Sequence, residues 1–267
     1  PDASLLLLLL LVLLAPGTVQ SSLQKVPLDM APNAFDDEYQ NCTSTTEAKL
    51  PALNRSDMAR NDIYTKVWAN ATAVLRKRRP WRLRSRGLTV AQETALMAYT
   101  METPLYKNFN EAVHGAGTSW QCYNNTFHYK TLHFLLTTAL QVLRDAQPNH
   151  CHRVYRGVSG CQFTAKHNSS IRFGKFTSCS LRLNRARKFG CHTIFSLKTC
   201  HGALIRDFSY FPNEEEVLVP PSEVFQVTNV SRNSSTVFIE LRSRGLRSNY
   251  NCAFLTGEAT GQRGAAQ

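Results

Sequence analysis

The pattern of apolar residues changes near Cys151, and this change constrains the fold more than any other feature. Before it, apolar residues recur at helical spacing: in KTLHFLLTTALQVLRDA, Leu132, Leu136 and Leu143 fall on one face. After it come short β-branched and aromatic runs, such as HTIFSLK and TVFIEL, separated by Gly, Pro, Asn and Ser. Helices followed by strands predict an α+β fold and argue against a βαβ repeat.

Capping signals and apolar spacing predict four helices in the first half. Ser56 precedes the periodic segment DMARNDIYTKVWANATAVL and is expected to cap that helix. Thr89 and Gln92 have the spacing of a capping box. Thr103 is the expected cap of a third helix with Pro104 at its first position, and the leucine-rich segment forms the fourth.

The chain begins with an unbroken apolar run from Leu5 to Leu14. The run is shorter than the roughly 20 residues that a membrane-spanning helix needs, and small residues follow it as at a signal-peptide cleavage site. We therefore expect residues 1–20 to be a secretory signal peptide. Residues 21–267 are expected to form a single domain with a short polar C-terminal tail.

Further features predict release into a lumen or the extracellular fluid. The final segment TGEATGQRGAAQ lacks the hydrophobic tail of a lipid-anchored protein. The 8 cysteines include no zinc-type CxxC pair, which favours disulfides over a metal, and the 8 histidines show no ligand spacing. N-x-S/T sequons suit a glycosylated chain. We expect no metal, no transmembrane or lipid anchor, and a monomer.

The formal net charge is +12, and its densest part is RKRRPWRLRSR, from Arg76 to Arg86. Such a run can bind an anionic surface or polyanion, such as heparan sulfate, nucleic acid or an acidic membrane. It can equally be a solvated helix end and loop. A cationic polyanion-binding defence protein is therefore one hypothesis for the chain.

Three short motifs in the strand-rich half carry side chains that are typical of binding and catalytic sites. Arg156, followed by Gly157, stands inside the apolar run VYRGV, where an arginine needs an anion such as a dinucleotide phosphate or a buried ion-pair partner. Ser178 and Ser180 end a strand on either side of Cys179, which suits either a binding site or a simple turn.

The third motif is the acidic triplet in FPNEEEVLVPP. If the triplet lies in a strand, Glu214 and Glu216 share one face and Glu215 is a solvated neighbour on the other. Two carboxylates on one face repel each other, and such pairs are usually kept because a ligand needs them. No GxGxxG motif joins a strand to a helix, so hydride transfer is not expected.

The order Arg, Ser-x-Ser, Glu-x-Glu resembles the arginine-specific mono-ADP-ribosyltransferases of the vertebrate ectoenzyme family. The resemblance extends to FDDEYQNC, LHFLLTTALQVLR, FSLKTCHGA and EEEVLVPPSEVFQV, and covers about residues 30 to 255. It implies a helical N-terminal half packed on a mixed two-sheet β core. It also implies transfer of ADP-ribose from NAD, or NADP, to the guanidino group of arginine on proteins or small compounds.

The resemblance also implies a role for each motif residue. Arg156 would grip the NAD phosphates, and the backbone of Gly157 would contact the nicotinamide amide. Ser178 would support the nicotinamide ribose and the catalytic carboxylate. Glu216 would be that carboxylate, and Glu214 would bind the acceptor guanidinium. An NAD glycohydrolase, in which water replaces the acceptor, is the enzymatic alternative.

Residues around the motifs complete the expectation. Tyr210 and Phe211 would face the acceptor, and Phe189 would lie near the phosphates. The family pattern implies disulfides Cys42–Cys252 and Cys151–Cys200. Cys122, Cys161, Cys179 and Cys191 have no assigned partner, and a free Cys179 inside the serine motif suggests redox-sensitive activity.

Overall fold

The computed structural model describes residues 23–78, 86–233 and 235–256. Within these ranges, helices dominate the part before Cys151 and strands the part after it, so the α+β prediction is confirmed. The helices are α1 (Thr43–Ala59), α2 (Asp62–Arg78), α3 (Val90–Thr100), α4 (Leu105–Ala116), α5 (Trp120–Thr126), α6 (Lys130–Asp145), α7 (Leu183–Ala186) and α8 (Ala253–Thr256).

The strands form a two-stranded parallel sheet and an eight-stranded mixed sheet. The small sheet pairs β1 (Gln24–Pro27) with β3 (Cys161–Thr164). The large sheet has the order β4-β9-β10-β6-β2-β5-β8-β7, in which β10 and β6 are parallel and the other neighbours antiparallel. Its strands are β2 (His152–Val158), β4 (Ser170–Arg172), β5 (Thr177–Ser180), β6 (Thr193–Thr199), β7 (Ala203–Leu204), β8 (Glu216–Val219), β9 (Glu223–Asn233) and β10 (Thr236–Leu246).

The start of the helical part differs from the prediction. Ser56 lies inside α1 and not before a helix, because α1 continues through Pro51. Helix α1 ends just before Arg60, and Asn61 caps α2 by accepting a hydrogen bond from the Tyr64 amide at 3.0 Å. The sequence of α1 shows no clear helical pattern, because it contains Pro51 and mainly polar residues.

The remaining capping signals agree more closely with the structure. Thr89 and Gln92 form the full capping box of α3, with backbone-to-side-chain hydrogen bonds of 2.9 and 3.2 Å. The Thr103 hydroxyl accepts from the Leu105 amide, so α4 begins one residue later than expected. The short helix α5 was not predicted, and Ser119 caps it.

Two hydrophobic cores hold the layers together. One lies between the helices and β7–β8 and includes Tyr64, Phe109 and Phe176. The other lies against the large sheet and includes Phe195 and Phe225. At about 25 cal/mol per Å² of apolar surface removed from water, side chains of this size dominate the stability of the fold.

The segment FDDEYQNC joins the beginning of the domain to its end. Asp36 forms a buried ion pair with Arg172 and accepts from the Asn249 amide at 2.8 Å. Asp37 accepts from the amides of Cys252 and Ala253 at 2.9 and 2.8 Å. Each carboxylate is buried and fully hydrogen-bonded, which offsets its desolvation cost.

The structure forms Cys42–Cys252 and Cys151–Cys200, the two pairs that the resemblance implied. They close loops with sequence separations of 210 and 49 residues. In the chain-entropy account each stabilises the fold by about 3–5 kcal/mol. In the residues that the structure describes, none of the helices combines the length and the hydrophobicity of a membrane-spanning segment.

Candidate active site

Three neighbouring strands position the predicted motif residues. Arg156 and Gly157 lie on β2, Ser178 lies on β5, and β8 begins with Glu216. The antiparallel register of β5 and β8 pairs Ser180 with Glu216, whereas β2 pairs with β5 at Tyr155 and Ser180. Among the described residues, pairing between β2 and β5 is limited to this position, so the large sheet opens between these two strands where the motif residues lie.

Arg156 is joined directly to the serine motif. Its Nη1 atom donates a 2.8 Å hydrogen bond to the main-chain oxygen of Ser178, and the side chain is half-buried. The guanidinium also lowers the pKa of the Glu216 carboxyl, so the two groups lie within electrostatic range. An arginine fork held on one side keeps further N–H donors for an anion.

The Glu216 carboxyl, at the start of β8, has a strongly shifted pKa. Its residue is only 5% exposed, and its Oε2 accepts from the Ser209 hydroxyl at 3.2 Å. Burial raises its pKa from 4.5 to about 7, a hydrogen bond from Ser178 opposes this, and the nearby charge of Glu214 raises it further. A buried carboxyl that titrates near neutrality is typical of active sites.

Glu214 lies outside the strand, so the prediction that the pleat aligns it with Glu216 is wrong. Glu214 ends a 3₁₀ turn, Pro212–Glu214, and Glu215 has a left-handed φ of 48° before β8 begins. Proline fixes the first φ of the turn, and the Ser180 hydroxyl donates to the Glu214 carbonyl at 2.7 Å. The turn, and not strand alternation, brings the two acids together.

The half-buried Glu214 side chain faces a mixed electrostatic environment. Burial raises the pKa of its carboxyl, the Arg185 charge lowers it, and Glu102 raises it. It forms no side-chain hydrogen bond with any other residue in the described ranges. The carboxylate is therefore open to a ligand.

Glu215 was predicted to be a solvated neighbour, and this is also wrong. Its two oxygens accept from Nε and Nη2 of Arg182 at 2.8 and 2.6 Å. Arg182 is largely exposed, so the pair contributes no more than about 1 kcal/mol of stability. The bidentate geometry of the pair nevertheless fixes the orientation of Glu215, which lies between Glu214 and Glu216.

Gly157 lies against the segment that carries Phe189. A Cβ at Gly157 would come within 2.3 Å of the Ala186 carbonyl oxygen and 2.4 Å of the Gly190 oxygen. Phe189 ends a 3₁₀ turn after α7, and 60% of it is exposed. The glycine lets the strand and this turn touch, which leaves an uncovered aromatic ring beside β2.

Tyr210 and Phe211 precede the acidic turn. Their rings contact edge-to-face with centroids 4.9 Å apart, and both residues are half-buried. The Tyr210 amide donates to the Thr100 hydroxyl at 2.8 Å, which ties the segment to the end of α3. The two rings therefore stand next to Glu214 in a supported loop.

Residues 28–249 match the family model described as NAD:arginine ADP-ribosyltransferase. The chain belongs to this ADP-ribosyltransferase family. The family prediction is confirmed, as is an enzymatic activity with NAD as substrate and arginine as acceptor. No metal cluster of three or more His, Cys, Asp or Glu side chains occurs in the part of this ADP-ribosyltransferase that the structure describes.

Named relatives and solved structures support this membership. The chain is 43% identical over 254 residues to the erythroblast NAD(P)(+)-arginine ADP-ribosyltransferase of Gallus gallus, covering 94% of this chain and 84% of that one. It is 45% identical over 241 residues to the GPI-linked NAD(P)(+)-arginine ADP-ribosyltransferase 1 of Mus musculus, covering 87% and 74%. A mutant of the mono-ADP-ribosyltransferase ART2.2 in complex with NADH superposes with a TM-score of 0.75 and 37% identity, covering 86% and 99%.

Sequence reasoning missed two residues that support the site of this ADP-ribosyltransferase. Ser209 holds the Glu216 carboxylate from the loop before the triplet. The buried Tyr99 hydroxyl donates to the Phe176 carbonyl at 2.8 Å and accepts from the Asn110 amide at 2.9 Å. A serine in a loop and a tyrosine on an apolar helix face carry no local signal, because both contacts are made across the fold.

The suggestion of redox-sensitive activity at Cys179 is not supported by its environment. The side chain is 4% exposed and packs in the core against the large sheet. Burial raises the pKa of its thiol to about 12, although the charge of Arg156 opposes this. The reactive thiolate is therefore negligible at neutral pH.

Two cavities of the ADP-ribosyltransferase lie away from these residues. One, of about 350 Å³, lies on the outer face of the large sheet around Ser196 and Glu240. The other, of about 300 Å³, lies beside α1 around Asp57 and His128. Neither cavity is lined by the motif residues on β2, β5 and β8, so the motifs and not cavity volume identify the candidate site.

Proposed function

We propose that Glu216 is the catalytic carboxylate of an ADP-ribose transfer from NAD to arginine. The observation that carries the proposal is its buried position, with the Ser209 hydroxyl bonded to it, the Ser178 hydroxyl lowering its pKa, and the Arg156 and Glu214 charges near it. As the bond from ribose C1′ to nicotinamide breaks, its electron pair leaves with nicotinamide and positive charge develops on the sugar. A fixed, desolvated carboxylate stabilises that charge more than it stabilises the substrate.

The protonation state of Glu216 suits this role. Its pKa of about 7 belongs to the site without substrate. A cationic nicotinamide ring and an acceptor guanidinium bring positive charge to the site, and positive charge lowers the pKa of a nearby carboxyl. Substrate binding would therefore ionise Glu216. Nicotinamide leaves as a neutral base, so no general acid is required.

Glu214 is proposed to bind the acceptor. A guanidinium has a pKa above about 12 and is a poor nucleophile while it remains protonated. A carboxylate can hold the planar fork through two hydrogen bonds and accept a proton as the new bond to C1′ forms. The open, half-buried carboxylate of Glu214, whose pKa burial raises, fits both tasks. Tyr210 and Phe211 would flank the acceptor from the preceding loop.

We assign the NAD phosphates and nicotinamide to the β2 side of the opening between β2 and β5. Arg156 would hold a phosphate with the N–H groups not bonded to Ser178, and the Gly157 backbone would approach the nicotinamide amide. The exposed ring of Phe189 supplies an uncovered stacking surface beside them. NADP is included as a donor, since relatives are named for both nucleotides.

An NAD glycohydrolase is the second candidate, since water can attack the same cation-like sugar. The presence of Glu214 next to Glu216 favours transfer, because hydrolysis needs no second acid to hold a guanidinium. Nicotinamide release and label incorporation into agmatine, measured for wild type, Glu216→Ala and Glu214→Gln, test the assignment. We expect Glu216→Ala to abolish both, and Glu214→Gln to reduce transfer by at least about a hundredfold while some hydrolysis persists. Nicotinamide release without labelled agmatine in wild type would reject the transferase.

We further propose that the enzyme acts outside the cell as a monomeric single domain on arginine-containing proteins. Its leader-like first residues, disulfides and sequons support export, and one relative is named as GPI-linked. Release into the fluid is one form of this export, and a lipid anchor, as in the GPI-linked relative, is the other. An intact-mass measurement of the cell-surface and medium fractions, before and after phospholipase treatment, would separate the two.

The polyanion proposal for Arg76–Arg86 stays secondary. Residues 79–85 lie outside the described residues, and Arg76 and Lys77 are exposed at the end of α2. Retention on heparin that survives Glu216→Ala but is lost on charge reversal of Arg79 and Arg82 would support this binding role. Elution at the same salt concentration after charge reversal would reject it.

A further inference from the structure

Arg78, the last residue of α2, reaches across the molecule to the loop before the acidic triplet. Its Nη1 donates to the carbonyl oxygen of Ser209 and its Nη2 to that of Tyr210, both at 3.1 Å. Its guanidinium carbon also lies 5.2 Å from the centroid of the Tyr210 ring. One planar fork therefore binds two consecutive carbonyls and one aromatic face.

This placement differs from that of the neighbouring cations. Basic residues in the last turn of a helix usually lie near the free carbonyls of their own helix. Arg76 and Lys77 are exposed there, whereas Arg78 is half-buried and bonded to residues more than 130 positions away. A lysine ammonium has no rigid fork, so only arginine can hold both carbonyls in this geometry.

The two carbonyls belong to a segment that enters the site, residues 209–214, which we name the acceptor segment. At its start, the Ser209 hydroxyl donates to Glu216 and accepts from the Phe211 amide at 3.1 Å. The next amide, of Tyr210, donates to Thr100. Arg78 therefore binds the carbonyl oxygens of this segment. The Ser209 hydroxyl of the same segment binds the Glu216 carboxyl, and the Tyr210 amide binds Thr100 of α3.

We infer that Arg78 is a positioning residue for the arginine acceptor. It fixes the acceptor segment so that the Tyr210 ring and the Glu214 carboxylate meet the incoming guanidinium in one geometry. This inference rests on the proposed function of Glu214. It assigns Arg78 to the enzyme and removes it from the polyanion-binding surface proposed for the basic segment.

The test compares Arg78→Met and Arg78→Lys with Arg76→Met, a matched change of an exposed arginine two residues earlier. For each variant, kcat and KM are measured for agmatine and for NAD, together with NAD hydrolysis without agmatine and the melting temperature. We expect Arg78→Met to lower kcat/KM for agmatine by about tenfold, corresponding to two net hydrogen bonds, with KM for NAD within about twofold. The ratio of hydrolysis to transfer rises accordingly.

Arg78→Lys keeps the charge and the stem but not the fork, so we expect a loss between those of wild type and Arg78→Met. Arg78→Lys also keeps the inference testable if Arg78→Met does not fold. An equal loss of transfer and hydrolysis, or an effect matched by Arg76→Met, would overturn the inference while leaving the proposed function intact. A wild-type enzyme that labels no agmatine would overturn both.

Discussion

Replacing Glu216 by glutamine should stabilise the protein while removing its activity. The carboxyl is buried, and burial raises its pKa from 4.5 to about 7. Between pH 4.5 and about pH 7, this carboxyl is therefore protonated in the native state and ionised in the unfolded state. Stability consequently falls as the pH rises from about 4.5 to about 7, and the ionised carboxylate costs its full amount above that range.

The size of the effect follows from the displaced pKa. Since one pKa unit corresponds to about 1.4 kcal/mol, a rise from 4.5 to about 7 costs the wild type about 3 kcal/mol at pH 8. At pH 5 the same calculation leaves about 1 kcal/mol. Glutamine has nearly the same shape and no charge, so Glu216→Gln should melt higher at pH 8 by roughly 6 to 12 °C.

The assay is thermal or urea unfolding of wild type and Glu216→Gln at pH 5 and pH 8, with the disulfides intact. Glu240→Gln, at an exposed position on β10, is the control and should change stability by less than about 0.5 kcal/mol at either pH. A Glu216→Gln variant that is destabilised at pH 8, or whose gain does not shrink at pH 5, would refute the reasoning. It would mean that hydrogen bonds from Ser178 and Ser209 outweigh the desolvation of the charge.

Three further predictions concern other parts of the enzyme. kcat/KM for NAD should fall about tenfold for each pH unit below about 7, because protonated Glu216 cannot stabilise a cation; a flat profile from pH 5 to 8 would contradict this. Gly157→Ala should raise the KM for NAD by about tenfold or more, since the new methyl displaces the adjacent turn, and an unchanged KM would show that the turn can move freely. Lys198 lies directly between Arg153 and Arg242 in the sheet register, so Lys198→Glu should stabilise the fold by about 0.5–1 kcal/mol in urea unfolding, and Lys198→Gln should give a smaller gain.

Local sequence predicted those parts of the fold that local interactions determine. The capping box at Thr89 and Gln92 uses residues three apart, and it forms as expected. Helix α1 was missed because Pro51 and a polar sequence conceal it, although packing of Leu53 and Asp57 against the domain stabilises it. The class of fold followed from periodicity alone, whereas the strand order depends on pairings between distant segments.

The same distinction applies to the site. The motif order indicated Arg156, Ser178 and Glu216, and the structure places them on three adjacent strands. The turn that carries Glu214 was mistaken for a strand, because an acidic run before Val and Leu has no strong turn signal apart from its proline. No pattern could indicate Arg78, since its partners are brought to it only by the completed fold.

The bond between Cys42 and Cys252 also determines how the enzyme responds to mechanical load. It joins positions 210 residues apart, and all of the residues assigned to the site lie between them. A pulling force applied at these two positions would pass through the covalent link and not through the strands. Tension along the chain would therefore leave the catalytic geometry unchanged until the link is reduced.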